Sequence, residues 1–170
     1  KDTEDATTIK NALANAMTEL RAISRGLALP DIDALTLSET VNRAVSDHNK
    51  AFGADAKFVP SDDTPFEAKL PTKLALYRVT QELLANTQKH AAASKVEVKL
   101  DQSATDVTVA VKDDGVGFVT DNSNLQQDSG QGLLGIRDRL LPLGGRLEIQ
   151  SQPEHGTTAV FSLPHEGVLS

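Results

Sequence analysis

Glu82, Asn86, Lys89 and His90 follow one another at steps of four, three and one along a stretch that reads as a helix. One helix face therefore carries a carboxylate, an amide and two basic groups. A neutral Asn oxygen can complete a Mg²⁺ shell that is otherwise filled by phosphate and water oxygens. Glu82 can orient or deprotonate an attacking group, and Lys89 and His90 can offset phosphate charge. A second patch, Asp113-Asp114-Gly115-Val116-Gly117, follows the alternating run Val107, Val109, Val111. A carboxylate at that strand end can accept a hydrogen bond from the exocyclic amine of adenine, whereas guanine presents an oxygen there. Gly115 and Gly117 let the backbone pass close to a flat ring, where a Cβ would collide. The third patch is Gly130-Gln131-Gly132-Leu133-Leu134-Gly135-Ile136-Arg137-Asp138-Arg139, a glycine turn running into a helix from about Leu133. Backbone amides at such a helix start form an anion site. Taken singly, the patches also fit a solvated helix face, an ordinary Asp-Gly turn and glycines that serve packing alone. In this order they describe a nucleotide site.

The elements that must hold these patches follow from periodicity. Apolar residues at Ile9, Leu13, Ala16, Leu20, Ile23 and Leu27 step by four and three, the seam of a coiled coil or of an amphipathic helix on its own domain. Gly26 and Pro30 bracket its exit. A second helix is expected from Ser38 to about Phe52-Gly53, with His48 on its surface, and a third opens at Pro71 and carries the first patch to His90. Short strands are expected at Ala56–Pro60 and near Phe66. Two alternating strands, Lys95–Asp101 and Asp106–Lys112, join through Gln102-Ser103-Ala104-Thr105. The polar, aperiodic stretch from Phe118 to Ser129 reads as a mobile lid. A helix at about Leu133–Leu141 and strands at about Arg146–Ser151 and Thr157–Leu163 complete the set. The layering is α+β, helices on one face of a mixed, mainly antiparallel sheet, without the βαβαβ alternation of a dinucleotide fold.

Composition narrows the classes. The 170 residues carry a formal charge of −7, which argues against a nucleic-acid surface, and contain no Cys, which excludes disulfides, thiolate metal sites and thiol nucleophiles. The 39% hydrophobic content is that of a globular domain, and no apolar run approaches the length of a membrane segment. Nothing resembles a signal peptide, and the opening Lys-Asp-Thr-Glu suggests a piece of a longer protein.

The stretch Leu76 to Ala91 resembles the N-box of bacterial sensor histidine kinases, Asp113–Phe118 their G1 box, and Gly130–Arg139 their G2 box. Gly156-Thr157-Thr158 is similar to the terminal glycine-threonine element of the same domain. Gly-Leu-Leu-Gly-Ile-Arg-Asp-Arg resembles the NarX- and DesK-like subfamily, which acts on LuxR/NarL-type response regulators. The resemblance implies a Bergerat-type two-layer sandwich over 31–170. Before it, 1–30 would be the last helix of a dimerisation module through which the parent protein forms a homodimer. It implies ATP and Mg²⁺ as ligands, with Asn86 holding the metal and Glu82 assisting transfer. Asp113 would bind adenine, Gly115 and Gly117 would line the base, and Lys89 and His90 would contact phosphates. Gly130 and Gly132 would form the lid hinge, Leu133 would line the site, and Thr157 would support the adenine end. It also implies a cytoplasmic location, whether or not the parent is membrane-anchored. Asp138 stands where Glu is expected and Gln131 where many relatives carry His. None of His48, His90, His155 and His165 sits in the context of a phosphoacceptor, so the acceptor histidine is expected on an upstream helix. Two other classes share the pocket: a non-catalytic nucleotide-binding regulatory module and an anti-sigma-type serine kinase.

Overall fold

The structure, a computed structural model, describes residues 31–60, 68–119 and 131–165. The expected N-terminal helix, the strand near Phe66 and most of the lid lie outside these residues. From Ile32 onward the chain forms one compact unit.

Helix α1 spans Leu37–Phe52. It is capped by Thr36, two residues before the expected start, because Thr36 and Glu39 form a reciprocal capping box. The Glu39 amide donates to Thr36 Oγ1 at 3.2 Å, and the Thr36 amide donates to Glu39 Oε2 at 2.8 Å. Gly53 ends the helix in the left-handed region, at φ 62°. Strand β1 (Lys57–Val59) follows, then helix α2 (Leu70–His90), with Pro71 in its first turn. Strands β2 (Val96–Gln102) and β3 (Asp106–Asp113) come next. Helix α3 (Gln131–Leu140) runs into a 3₁₀ turn, Leu141–Leu143, before β4 (Arg146–Ser151) and β5 (Thr157–Pro164).

The sheet order is β1-β2-β3-β5-β4. The β1–β2 pair is parallel and the other pairs are antiparallel. A parallel neighbour needs a crossover, and α2 supplies it. Alternation sets the two faces of the sheet. Val98, Leu100, Val107, Val109, Val111, Ala159, Phe161 and Leu163 are buried in one core with Val41 and Val45 of α1, Leu76, Val79, Leu83 and Leu84 of α2, and Ile136 and Leu140 of α3. Glu97, Lys99, Asp101, Lys112, Arg146, Glu148 and Gln150 are exposed on the other face. Helices on one side and solvent on the other make the expected α+β two-layer arrangement.

His48 departs from expectation. It is buried at 5% exposure, on the same face as Val41 and Val45, with its ring 4.9 Å from that of Phe52. It stands three residues after Val45, so the helical repeat carries it into the core. Burial disfavours the charged imidazolium and holds its pKa below the ordinary 6.5. The unfolded chain therefore binds the proton more readily. Stability should be unaffected by this group above pH 6.5 and should fall as pH drops from there towards the lowered folded value. Urea titrations across that window should give a steeper acid loss for the wild type than for His48→Phe. Equal slopes would remove His48 as the cause.

Candidate nucleotide site

Helix α2 aims two sets of side chains in different directions. Leu76, Val79 and Leu83 are buried in the core, while Glu82 and Asn86 are half-buried one turn apart along its flank. The first turn of α3 lies against that flank. A Cβ added to Gly132 would stand 2.8 Å from Glu82 Oε1, 3.2 Å from Asn86 Oδ1 and 3.4 Å from Asn86 Nδ2. The absent side chain therefore lets the helix start come into contact with a carboxylate and an amide of α2. Gly132 lies within α3, which begins at Gln131 and not near Leu133 as expected. Its role in this structure is close approach to α2. Leu133 is half-buried against the core, and Lys89 and His90 are exposed in the last turn of α2. Gly130 falls outside the described residues.

Asp113 closes the other end. It is the last residue of β3, 5% exposed, and pairs directly with Thr157 of β5. Its Oδ1 accepts from the Gly115 amide at 2.9 Å and from the Thr157 amide at 3.2 Å. Its Oδ2 has a longer contact, 3.5 Å from Thr87 Oγ1. Thr87 follows Asn86 by one residue, so α2 presents its amide to the α3 side and its hydroxyl to the sheet. One carboxylate oxygen is thus fixed by two backbone donors, and the second keeps acceptor capacity for a ligand.

The glycines of the second patch have protein neighbours of their own. A Cβ on Gly115 would fall 2.2 Å from the Ala91 carbonyl oxygen at the end of α2. Gly117, at φ +59°, would place one 2.0 Å from the Gln152 carbonyl oxygen. Both glycines let the loop after Asp113 thread between α2 and the β4–β5 turn. The Val116 amide completes the tie with a bond to the Ala91 carbonyl at 2.8 Å. Asp114 is exposed yet engaged. It accepts from the Ser94 hydroxyl at 2.6 Å and from the Ser94 and Lys95 amides at 2.8 Å each. The Ser94 hydroxyl above all, then the Lys95 amide, holds its carboxyl below the usual range.

Thr87 and Ser151 were not legible as site residues. Ser151 is buried, and its Oγ accepts from the Phe118 amide at 2.9 Å, donates to the Gly156 carbonyl at 3.0 Å and lies 2.9 Å from Thr157 Oγ1. A lone hydroxyl in a strand has no pattern of its own. The one signal is positional, since Ser151 and Thr157 flank the last hairpin turn at equal distance from its centre, Glu154.

A helix start packed on an amide and a carboxylate, and a buried carboxylate acceptor at a strand end beside the same turn of α2, offer groups for the phosphates and for the base of a nucleotide. Residues 72–167 match the histidine kinase-, DNA gyrase B- and HSP90-like ATPase family, and the chain belongs to that family. It is an ATP-binding domain of the kind that sensor histidine kinases carry. It is 32% identical over 158 residues to the signal transduction histidine-protein kinase/phosphatase DegS of Brevibacillus brevis, covering 92% of this chain and 39% of DegS. To the sensor histidine kinase MctS of Rhizobium johnstonii it is 33% identical over 153 residues, covering 90% of this chain and 33% of MctS. The chain thus spans well under half the length of these relatives. Its fold matches the ATP-binding domain of PrrB from Mycobacterium tuberculosis with a TM-score of 0.64 at 21% identity, covering 78% of this chain and 96% of that one.

Proposed function

We propose that this chain is the catalytic ATP-binding domain of a two-component sensor histidine kinase. In this reading it passes the γ-phosphate of ATP to a histidine on a separate helix of the parent protein, for relay to an aspartate of a LuxR/NarL-type response regulator. The observation that carries the reading is the buried Asp113 acceptor beside the same turn of α2 whose Asn86, with Glu82 one turn earlier, meets the start of α3 at Gly132. Asp113 Oδ2 accepts from the adenine amine. The α3 amides and exposed Lys89 and His90 offset phosphate charge. Glu82 orients the attacking imidazole nitrogen or takes its proton as the new bond to phosphorus forms and ADP leaves. Asn86 Oδ1 would hold Mg²⁺, and the side chains there fit that use, because a neutral amide oxygen one turn from the Glu82 carboxylate is a hard donor that adds no charge against phosphate. Mg²⁺ when bound neutralises phosphate charge and takes its remaining ligands from phosphate and water oxygens.

The N-terminal segment 1–30 is proposed as the last helix of the parent's dimerisation module, and the domain is proposed to work in the cytoplasm. No helix among the described residues is long and apolar enough to cross a membrane. Incubation with labelled ATP and a separately made acceptor helix tests the transfer. Label on the acceptor histidine is expected; ATP binding without any transfer would favour a regulatory module, and label on serine a serine kinase.

Asn86→Ala should remove the Mg²⁺ dependence of nucleotide binding and leave adenine recognition in place, because separate residues read the two ends. Calorimetry with ATP, with and without Mg²⁺, checks this. An identical response to Mg²⁺ in both proteins would exclude Asn86 as the ligand.

A further inference from the structure

Asp113, Thr157 and Ser151 sit side by side across three neighbouring strands, in the registers Asp113↔Thr157 and Ser151↔Thr157. The bonds around Ser151 have a definite polarity. Ser151 has one hydroxyl proton, and the Gly156 carbonyl takes it. In the 2.9 Å contact with Thr157 Oγ1, Thr157 is then the donor. With its proton committed to Ser151, the Thr157 hydroxyl offers only lone pairs on its remaining sides. The Phe118 amide, immediately after the Gly117 turn, binds the same Ser151 oxygen. Ser151 therefore joins three things: the first residue after the Asp113–Gly117 loop, the β4–β5 turn, and a hydroxyl beside the carboxylate proposed to read adenine.

We infer that Ser151 is a positioning residue of the base pocket. Its hydroxyl anchors the chain leaving Gly117 and sets the Thr157 hydroxyl as an acceptor next to Asp113. Two acceptors on directly paired residues, the Asp113 carboxylate and the Thr157 hydroxyl, suit a ligand group with more than one N–H, such as an exocyclic amine. The inference rests on the nucleotide reading above. It assigns Ser151 a part in closing the base end and none at the phosphate end.

The test uses the 170-residue chain, with Ser151→Ala and Thr157→Val, and measures calorimetric affinities for Mg-ATP and for Mg-tripolyphosphate together with amide exchange at Phe118. Ser151→Ala strips a partner from the Phe118 N–H and from the Gly156 carbonyl. It should weaken ATP by about five- to tenfold, leave tripolyphosphate binding unchanged and speed Phe118 exchange by about tenfold. Thr157→Val keeps the Phe118 and Gly156 bonds to Ser151, so it should weaken ATP and leave Phe118 exchange as in the wild type. Equal losses for ATP and tripolyphosphate would mean that Ser151 serves only the fold, and would overturn the inference. Unchanged ATP affinity in both variants would overturn it while leaving the nucleotide reading intact. A wild type that binds no ATP would remove both.

Discussion

Asp113→Asn should bind Mg-ATP about ten- to hundredfold more weakly than the wild type, the cost of losing a charge-assisted hydrogen bond and meeting a donor instead. The direction follows from how the carboxylate is held. Oδ1 already accepts from the Gly115 and Thr157 amides at 2.9 and 3.2 Å. In the variant, the amide oxygen must stay on that side, because turning the NH₂ group there would set donor against two donors. The NH₂ group is then left at the Oδ2 position, where it faces the N–H groups of adenine's amine. Thr87, 3.5 Å away through its hydroxyl, can accept from it and helps to hold it there. Guanine offers an oxygen at the same place, so GTP affinity should hold or rise while ATP affinity falls. Selectivity is a difference between two affinities, and reversing one donor acts on both. Calorimetry with the two nucleotides decides the matter. A variant that keeps the full ATP affinity would show that Asp113 does not read the base.

Much of this site was legible because its chemistry is local in sequence. Glu82 and Asn86 share a face through helical repeat alone, and Asp113 ends a run whose alternation marks a strand. What the repeat could not convey is which neighbour each group meets. Gly115 and Gly117 were expected to lie close to a base, and what the pattern did not convey is that their missing Cβ atoms also make room for the Ala91 and Gln152 carbonyls. Gly132 was expected ahead of its helix and stands inside it, packed against α2. These are contacts between segments far apart in the chain, and a residue type signals only that space is short, not what fills it. His48 shows the opposite failure. It was expected at the surface, whereas the three-residue step from Val45 carries it inward, where it is buried with its ring 4.9 Å from that of Phe52. The helix expected from Ser38 is capped two residues earlier, at Thr36. The reciprocal partner, Glu39, lies three residues after Thr36 and identifies the cap.

Gly156→Ala should destabilise the domain by roughly 2–5 kcal/mol, from a left-handed backbone cost of about 1–2 and overpacking of about 1–3. Gly156 has φ +75°, and a Cβ there would lie 2.1 Å from the carbonyl oxygen of Asp113, 3.0 Å from its carbon and 3.1 Å from the Asp114 Cα. All three are backbone atoms, so no flexible side chain can swing aside. Relief must come from moving the end of β3 or the β4–β5 turn. Either movement shifts the Asp113 carboxylate off the Thr157 amide and the Gly156 carbonyl off Ser151. Nucleotide binding should therefore fall together with stability. Gly53 separates the two contributions, because its φ is +62° and nothing lies within 4 Å of its Cβ position. Gly53→Ala should cost only the conformational part, about 1–2 kcal/mol, with ATP affinity unchanged. Urea unfolding and ATP titration of both variants measure the difference. Equal destabilisation by the two substitutions would mean that the β4–β5 turn has room to yield. In that case the close packing of Gly156 on Asp113 would not be what holds the carboxylate in place.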